Sequence, residues 1–335
     1  MLRNRLIQLL IFLSFSLLVS SAKAQDPQFS QFYANPLYLN PAFAGATECA
    51  RINLNYRNQW PSLTKAYITY SITYDQSLNS INSGFGVIAI NDRQGDGALN
   101  TTLLGAIYAY NLQVSEGMFI RFGAKAVYYQ QRLDWDKLIF ADQINPINGS
   151  ISNITNQTPP ENANIGVVDF SVGTVLTYYD QFFVGFTADH LTQPSLSFYN
   201  NDDDKLPLKY TAHGGVTINV SRGMLGGVYG KDFSIQPQVL YMRQQDFQQL
   251  NAGLYLNRNP FVIGAWFRHN FENPDAVILL VGLSFNNIKF GYSYDMGVSR
   301  IGGEALGAHE ISFAWDFCIY NDKKRKIRAI KTPLF

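Results

Sequence analysis

Four histidines, His190, His213, His269 and His309, are the chain's whole stock of imidazole. Imidazole is the side chain most often used for acid–base work or metal binding near neutral pH. None of the four has a partner at a spacing such as HxxxH, which would put two ligands on one face of an element. The acidic run Asp202-Asp203-Asp204 lacks the glycine and the distal glutamate of a calcium loop, and fits a solvated connection better. No GxSxG elbow, phosphate-cradling glycine loop or dinucleotide fingerprint occurs. With no catalytic constellation, the chain reads as non-enzymatic, without metal or cofactor. Its two cysteines, Cys49 and Cys318, are too far apart for a CxxC motif. In an oxidising compartment they either pair with each other or remain two thiols.

The polar residues follow a different order, one that belongs to strands. Charged residues make up 15% of the chain and aromatics 14%, against a usual charged share of ~25%. Residues 2–24 have the form of a secretory signal. Arg3 and Arg5 precede a mostly apolar run over 6–19, which is shorter than the ~20 residues of a membrane helix. Ala22-Lys23-Ala24 then offers a cut before Gln25. No cysteine follows that run to carry a lipid anchor. Without the leader, 23 basic residues face 25 acidic ones, which gives no footprint for nucleic acid.

Beyond the leader, fourteen runs alternate apolar and polar residues. They cover 51–57, 66–74, 85–90, 103–112, 118–129, 168–178, 182–190, 210–220, 233–242, 250–256, 261–268, 277–285, 288–296 and 309–319. An exported chain of this kind is expected to be all-β, a transmembrane antiparallel up-and-down β-barrel with periplasmic termini and apolar faces turned to lipid. A soluble β-sandwich, which also alternates, is the rival fold. The two long irregular stretches, 133–165 and 191–207, then fall on the outer side, and most opposite connections are short. Residues 221–231 and Pro237 fit this scheme worst, since a closed barrel has no free edge to accommodate a missing donor. Glycines inside the strands, among them Gly84, Gly123, Gly173 and Gly185, are expected where another backbone approaches closely.

The stretch 25–46 neither alternates nor matches a helix. Pro27, Pro36 and Pro41 punctuate it, and Phe29, Phe32, Tyr33, Asn35, Asn40, Phe43 and Gly45 fill the gaps. We expect an extended, semi-rigid segment folded back into the barrel lumen as a plug or against its periplasmic mouth; a disordered N-terminus is the alternative. The run Gln28-Phe-Ser-Gln-Phe-Tyr-Ala-Asn-Pro-Leu-Tyr-Leu-Asn-Pro-Ala-Phe-Ala-Gly45 strongly resembles the opening of the PorP/SprF family. Leu138 to Ile144, Gly185 to Pro194, Gly291 to Asp295 and His309 to Ser312 resemble later stretches of the same family. So does the end, Ile330 to Phe335, although Thr332-Pro333 stands where the family has Cys-Pro. The resemblance implies an outer-membrane barrel of the type IX secretion and gliding-motility machinery, in a Gram-negative bacterium. Its partners would be periplasmic ring components or a secreted adhesin whose export or surface attachment it supports. The alternative function is a pore for small solutes through lumen groups such as Arg121, Lys125, Lys289 and Asp295.

Closing such a barrel requires the first and last strands to pair antiparallel. A register with Arg51 opposite Asp316 and Arg57 opposite Glu310 joins opposite charges on the polar face, with Ile52 against Trp315 and Leu54 against Phe313 outside. The same register sets Cys49 opposite Cys318. The expected organisation is a signal over 1–24, the segment over 25–46, the barrel over 47–319 and a basic tail over 320–335. That tail is either simply solvated or suited to a periplasmic partner or anionic lipid heads.

Overall fold

An alternating strand has one apolar face, and in a bilayer that face must point outward while every backbone donor finds a neighbouring strand. The computed structural model describes residues 26–62, 67–199, 205–220, 233–271, 273–298 and 307–318. It meets both demands with a closed antiparallel barrel of fourteen strands. They are β1 (Ala50–Gln59), β2 (Tyr67–Leu78), β3 (Ser83–Gln94), β4 (Leu99–Ser115), β5 (Met118–Leu133), β6 (Asn164–Tyr178) and β7 (Phe182–Asp189). β8 (Lys209–Val216) continues after a one-residue break as Ile218–Asn219. Then follow β9 (Phe233–Gln244), β10 (Phe247–Arg258), β11 (Phe261–Asn270), β12 (Asn273–Phe285), β13 (Ile288–Gly297) and β14 (Ala308–Phe317). Each strand pairs with the next, and β14 closes on β1. The leader, the acidic run at 202–204, the connection at 221–231 and the tail lie outside the described residues.

The faces sort as the alternation requires. On β5, Arg121 and Lys125 are buried while Phe122 and Tyr128 are about half exposed. On β1, Arg51, Asn53, Asn55 and Arg57 are buried and Leu54 is exposed. An even strand number puts the start of β1 and the end of β14 at one end of the barrel, here called the terminal end. Short turns such as 116–117, 179–181, 259–260 and 286–287 close that end. The opposite end, the loop end, carries the long connections 134–163 and 190–208. β4, β5 and β6 run 17, 16 and 15 residues, more than the ~9–11 that cross a bilayer. Near their loop ends Gln130 Nε2 donates to Asn164 Oδ1 at 3.1 Å on the outer face.

Pro237 causes neither a bulge nor a shifted boundary. Its pairing with Leu254 of β10 is continuous, and the defect appears on its other side. There β8 breaks between Val216 and Ile218, facing the missing N–H, and the register resumes unshifted. Thr217 N–H donates to Gln181 O instead, at 2.6 Å.

Candidate functional site: the lumen segment and the loop end

The lumen is occupied by the chain's own residues 26–46, almost all of them buried. The segment is not extended, as its prolines and the lack of a periodic pattern suggest. It forms three short turns, Phe32–Ala34, Pro36–Leu39 and Pro41–Phe43. The first turn contains no proline, and Pro27 opens none. Pro36 and Pro41 open the other two, where their fixed φ suits the helix and their missing N–H would have had no partner. The asparagines before them stay outside helical geometry, with φ −121° at Asn35 and −156° at Asn40. Asn40 joins two turns, its N–H donating to Pro36 O at 2.9 Å and its Oδ1 accepting from Ala42 N–H at 2.9 Å.

The same side chains fix the segment to the barrel wall. Asn40 Nδ2 donates to Thr174 O at 3.1 Å and Phe186 O at 3.2 Å, and faces His213 Nε2 at 3.2 Å. Asn35 Nδ2 donates to Ser71 Oγ at 2.9 Å. Phe32 packs edge-on against Trp266, and Tyr33 against Phe183. Beneath residues 40–45, Gly84, Gly123 and Gly173 form a seat so close that a Cβ at any of them would overlap the segment's own atoms. Arg121 Nε donates to Ala42 O at 2.8 Å and its Nη2 donates to Ala44 O.

Charge anchors the two ends. At the terminal end, Gly45, at φ +63°, donates its N–H to Asp75 Oδ2 at 2.9 Å. Towards the loop end, the Glu310 carboxylate accepts Ser30 N–H at 2.7 Å and Gln31 N–H at 3.2 Å. Arg57 and Arg268 hold Ser30 Oγ at 2.6 and 2.8 Å and the Asp295 carboxylate at 3.1 and 3.0 Å. At the top, Asp26 pairs with His190 Nε2 at 2.9 Å and Lys209 at 2.8 Å. His190 Nδ1 lies 2.8 Å from Asp169. Burial opposes charge on His190, but the Asp26 and Asp169 carboxylates outweigh it and raise its pKa to about 9. Burial likewise opposes the Asp26 carboxylate, and His190 with Lys209 hold it well below the usual range.

The seam pairs Arg51 with Asp316, Ile52 with Trp315, Leu54 with Phe313 and Arg57 with Glu310. Register does not decide every ion pair, however. Arg57 does meet Glu310, at 3.2 Å. The Arg51 guanidinium turns to its other cross-strand neighbour, Asp75 on β2, at 2.9 Å, and Asp316 faces Lys289 at 3.5 Å. Asp75 wins because it is fully buried and already oriented by Gly45. Cys49 and Cys318 are joined, with Cα atoms 4.5 Å apart. Phe29, Phe32, Tyr33, Asn35, Pro36, Asn40, Pro41, Phe43 and Gly45 all lie in the lumen. The seam register singles out Glu310, alternation marks Arg268 only as inward, Asp75 and Lys209 lie one residue outside the alternating runs 66–74 and 210–220, and Asp26, Ser30, Gln31 and His190 carry no signal that would single them out.

At the loop end, residues 143–152 form a small hairpin, with Ile144 bridged to Ile151 and Ser152 N–H donating to Gln143 O at 2.8 Å. Asn145 Oδ1 caps Ile147 N–H at 2.9 Å, and the Asp142 carboxylate accepts Asn156 N–H at 2.6 Å. The bond from Asn156 holds the Asp142 carboxyl below its ordinary pKa. This frame presents Ile147 and Ile154 to solvent, 94% and 79% exposed.

The family model described as "Type IX secretion system membrane protein PorP/SprF" matches residues 21–315. Among solved structures, the Pseudomonas putida toluene transporter TodX aligns with TM-score 0.52 at 10% identity, over 84% of this chain and 93% of that one. The Ralstonia pickettii toluene transporter TbuX gives 0.51 at 9% identity, over 84% and 93%. Acinetobacter baumannii outer membrane protein Omp33 gives 0.45 at 9% identity, over 82% and 100%. At such identities the likeness is one of fold. No curated protein matches the chain.

Proposed function

Because the chain belongs to the PorP/SprF family of type IX secretion system membrane proteins, and is an outer-membrane β-barrel rather than a member of an enzyme family, we propose that it serves that machinery as a closed docking barrel. On this reading the terminal end is periplasmic and faces the ring components, while the loop end binds a secreted adhesin and supports its export or surface attachment. The observation that carries the reading is the filled lumen. The 26–46 segment bonds to strands all around the barrel and rests on inward glycines that serve no strand-forming purpose. A permanent conduit would have no use for that complementarity. The loop end adds support, because exposed isoleucines on a hydrogen-bonded frame are the kind of surface that recognises a protein.

Two measurements test this. Purified protein in planar bilayers should be nearly non-conducting, and deletion of residues 26–45 should open it. Replacing 134–163 and 190–208 by short turns should spare barrel assembly and abolish capture of the adhesin. A small-solute pore would conduct with its segment in place, and that result would reject the docking role in favour of a channel.

A further inference from the structure

At the loop end of the lumen, a recess of about 70 Å³ separates the segment from the wall made by β8, β9 and β10. Phe29, Phe32 and Leu39 of the segment form one side; Thr211, Met242 and Phe247 form the other. A water molecule needs roughly 10–15 Å³ of such space and two to four polar partners, so the recess has room for about five waters but offers them little. Most polar groups at its edge are already engaged, with Asn35 Oδ1 left as a buried acceptor without a partner. Lys209 binds Asp26 at 2.8 Å and lies 5.0 Å from the Tyr38 ring centre. Gln244 donates to Pro207 O at 3.3 Å, Gln249 donates to Asn251 Oδ1 at 3.1 Å, and Gln28 donates to Gln249. The charges that line it are paired, Asp26 with Lys209 and His190 and Asp189 with Lys125. A charged guest would have to break one of these pairs or stay unpaired.

We propose that this recess binds a compact, neutral, largely apolar molecule the size of a single ring, with the docked segment supplying half of its wall. The rings of Phe29, Phe32, Tyr38 and Phe247 suit an aromatic or branched-aliphatic body, and the unbranched Met242 side chain adapts to its outline. Since the site exists only when the segment is docked, guest and segment stabilise each other by linkage. The inference does not depend on the secretion partner.

The test uses the full chain in detergent with fluorobenzene as probe, followed by fluorine NMR, and with benzoate and benzylamine as charged counterparts. Fluorobenzene should bind saturably and should slow chymotrypsin cleavage within residues 29–38. Met242→Trp, which fills the recess from β9, should weaken binding at least tenfold. Thr211→Phe, which fills it from β8, should do the same and guards against a folding defect in the first variant. The charged analogues should compete at least tenfold more weakly. Absence of saturable binding, or binding undiminished in both filled variants, would overturn the site. Equal competition by benzoate would overturn the neutral class of guest.

Discussion

Replacing Gly123 by valine should drive the segment from the lumen without harming the barrel. Gly123 faces inward from β5, and a Cβ there would overlap the Pro41–Ala42 peptide and stand 2.6 Å from Ala42 Cα. Backbone atoms cannot rotate aside, so the turn must retreat by on the order of 1 Å to reach ordinary contact. That retreat loosens the Arg121 bond to Ala42 O, now 2.8 Å, and the bond to Ala44 O. A hydrogen bond to a charged group contributes ~1.5–3 kcal/mol, and overpacking costs ~1–3 kcal/mol. Together they oppose docking by about 3–6 kcal/mol, or roughly 10²–10⁴ in the undocked fraction. The strand itself gains, since valine suits a strand better than glycine does. Chymotrypsin, whose targets include Phe29, Phe32, Tyr33 and Tyr38, should cut the wild type only slowly and the variant about a hundredfold faster. Bilayer conductance should rise in parallel. If the variant assembles normally, as judged by migration of the unheated protein in gels, yet keeps full protection and a closed lumen, the glycine seat does not hold the segment.

The Asp26 anchor should weaken in alkali. His190 is charged whether docked or free below its ordinary pKa of about 6.5, and the docked form keeps its proton up to about 9. Segment protection should therefore hold below pH 6.5, decline as pH rises through 9, and lose that decline in His190→Gln. On the outer face, Phe313→Arg should cost roughly 2–4 kcal/mol of barrel stability near the midplane; a cost near zero in urea titrations would refute its lipid exposure. For the seam, mass spectrometry of unreduced, denatured, alkylated protein should find no adduct on Cys49 or Cys318, and two after reduction. The loop this bond closes spans 269 residues, so reduction should remove on the order of 5 kcal/mol on a chain-entropy account.

The barrel was legible because alternation fixes each strand by itself. A one-residue error would turn polar groups to lipid, so each of the fourteen runs could be placed without knowing the others, and the seam register and the side of the two long connections followed from the runs and their order. Glycines inside the strands also carried a readable message, since they weaken a strand unless something approaches closely. The segment was harder. Its prolines could equally mark an extended chain or the starts of turns, and only the bonds of Asn40 to Ala42 and to the wall decide for turns. Ion pairing was harder still. Arg51 has an acid across each of its two neighbouring strands, and the choice of Asp75 depends on Gly45, which comes from outside the sheet. His190 looked like one of four isolated histidines because both of its partners, Asp26 and Asp169, are distant in sequence.

His190 also joins the two halves of the proposed role. It is the first residue of the 190–208 connection, so it belongs to the loop end, yet its ring holds Asp26 at the tip of the segment. Lys209, which shares that carboxylate, is the first residue after the same connection. Both ends of one loop therefore grip the segment. A partner that moves His190 with this loop by more than about an ångström lengthens its contact with Asp26 beyond hydrogen-bond range, and leaves the tip of the segment to Lys209 on β8 and to the bond between Gln28 and Gln249. Below Ser30 the grip passes to Glu310, Arg57 and Arg268, which lie on strands and do not move with the loop. Loosening would thus start at Asp26 and stop near Ser30. It would open the mouth of the lumen while Gly45 and the glycine seat keep the terminal end closed.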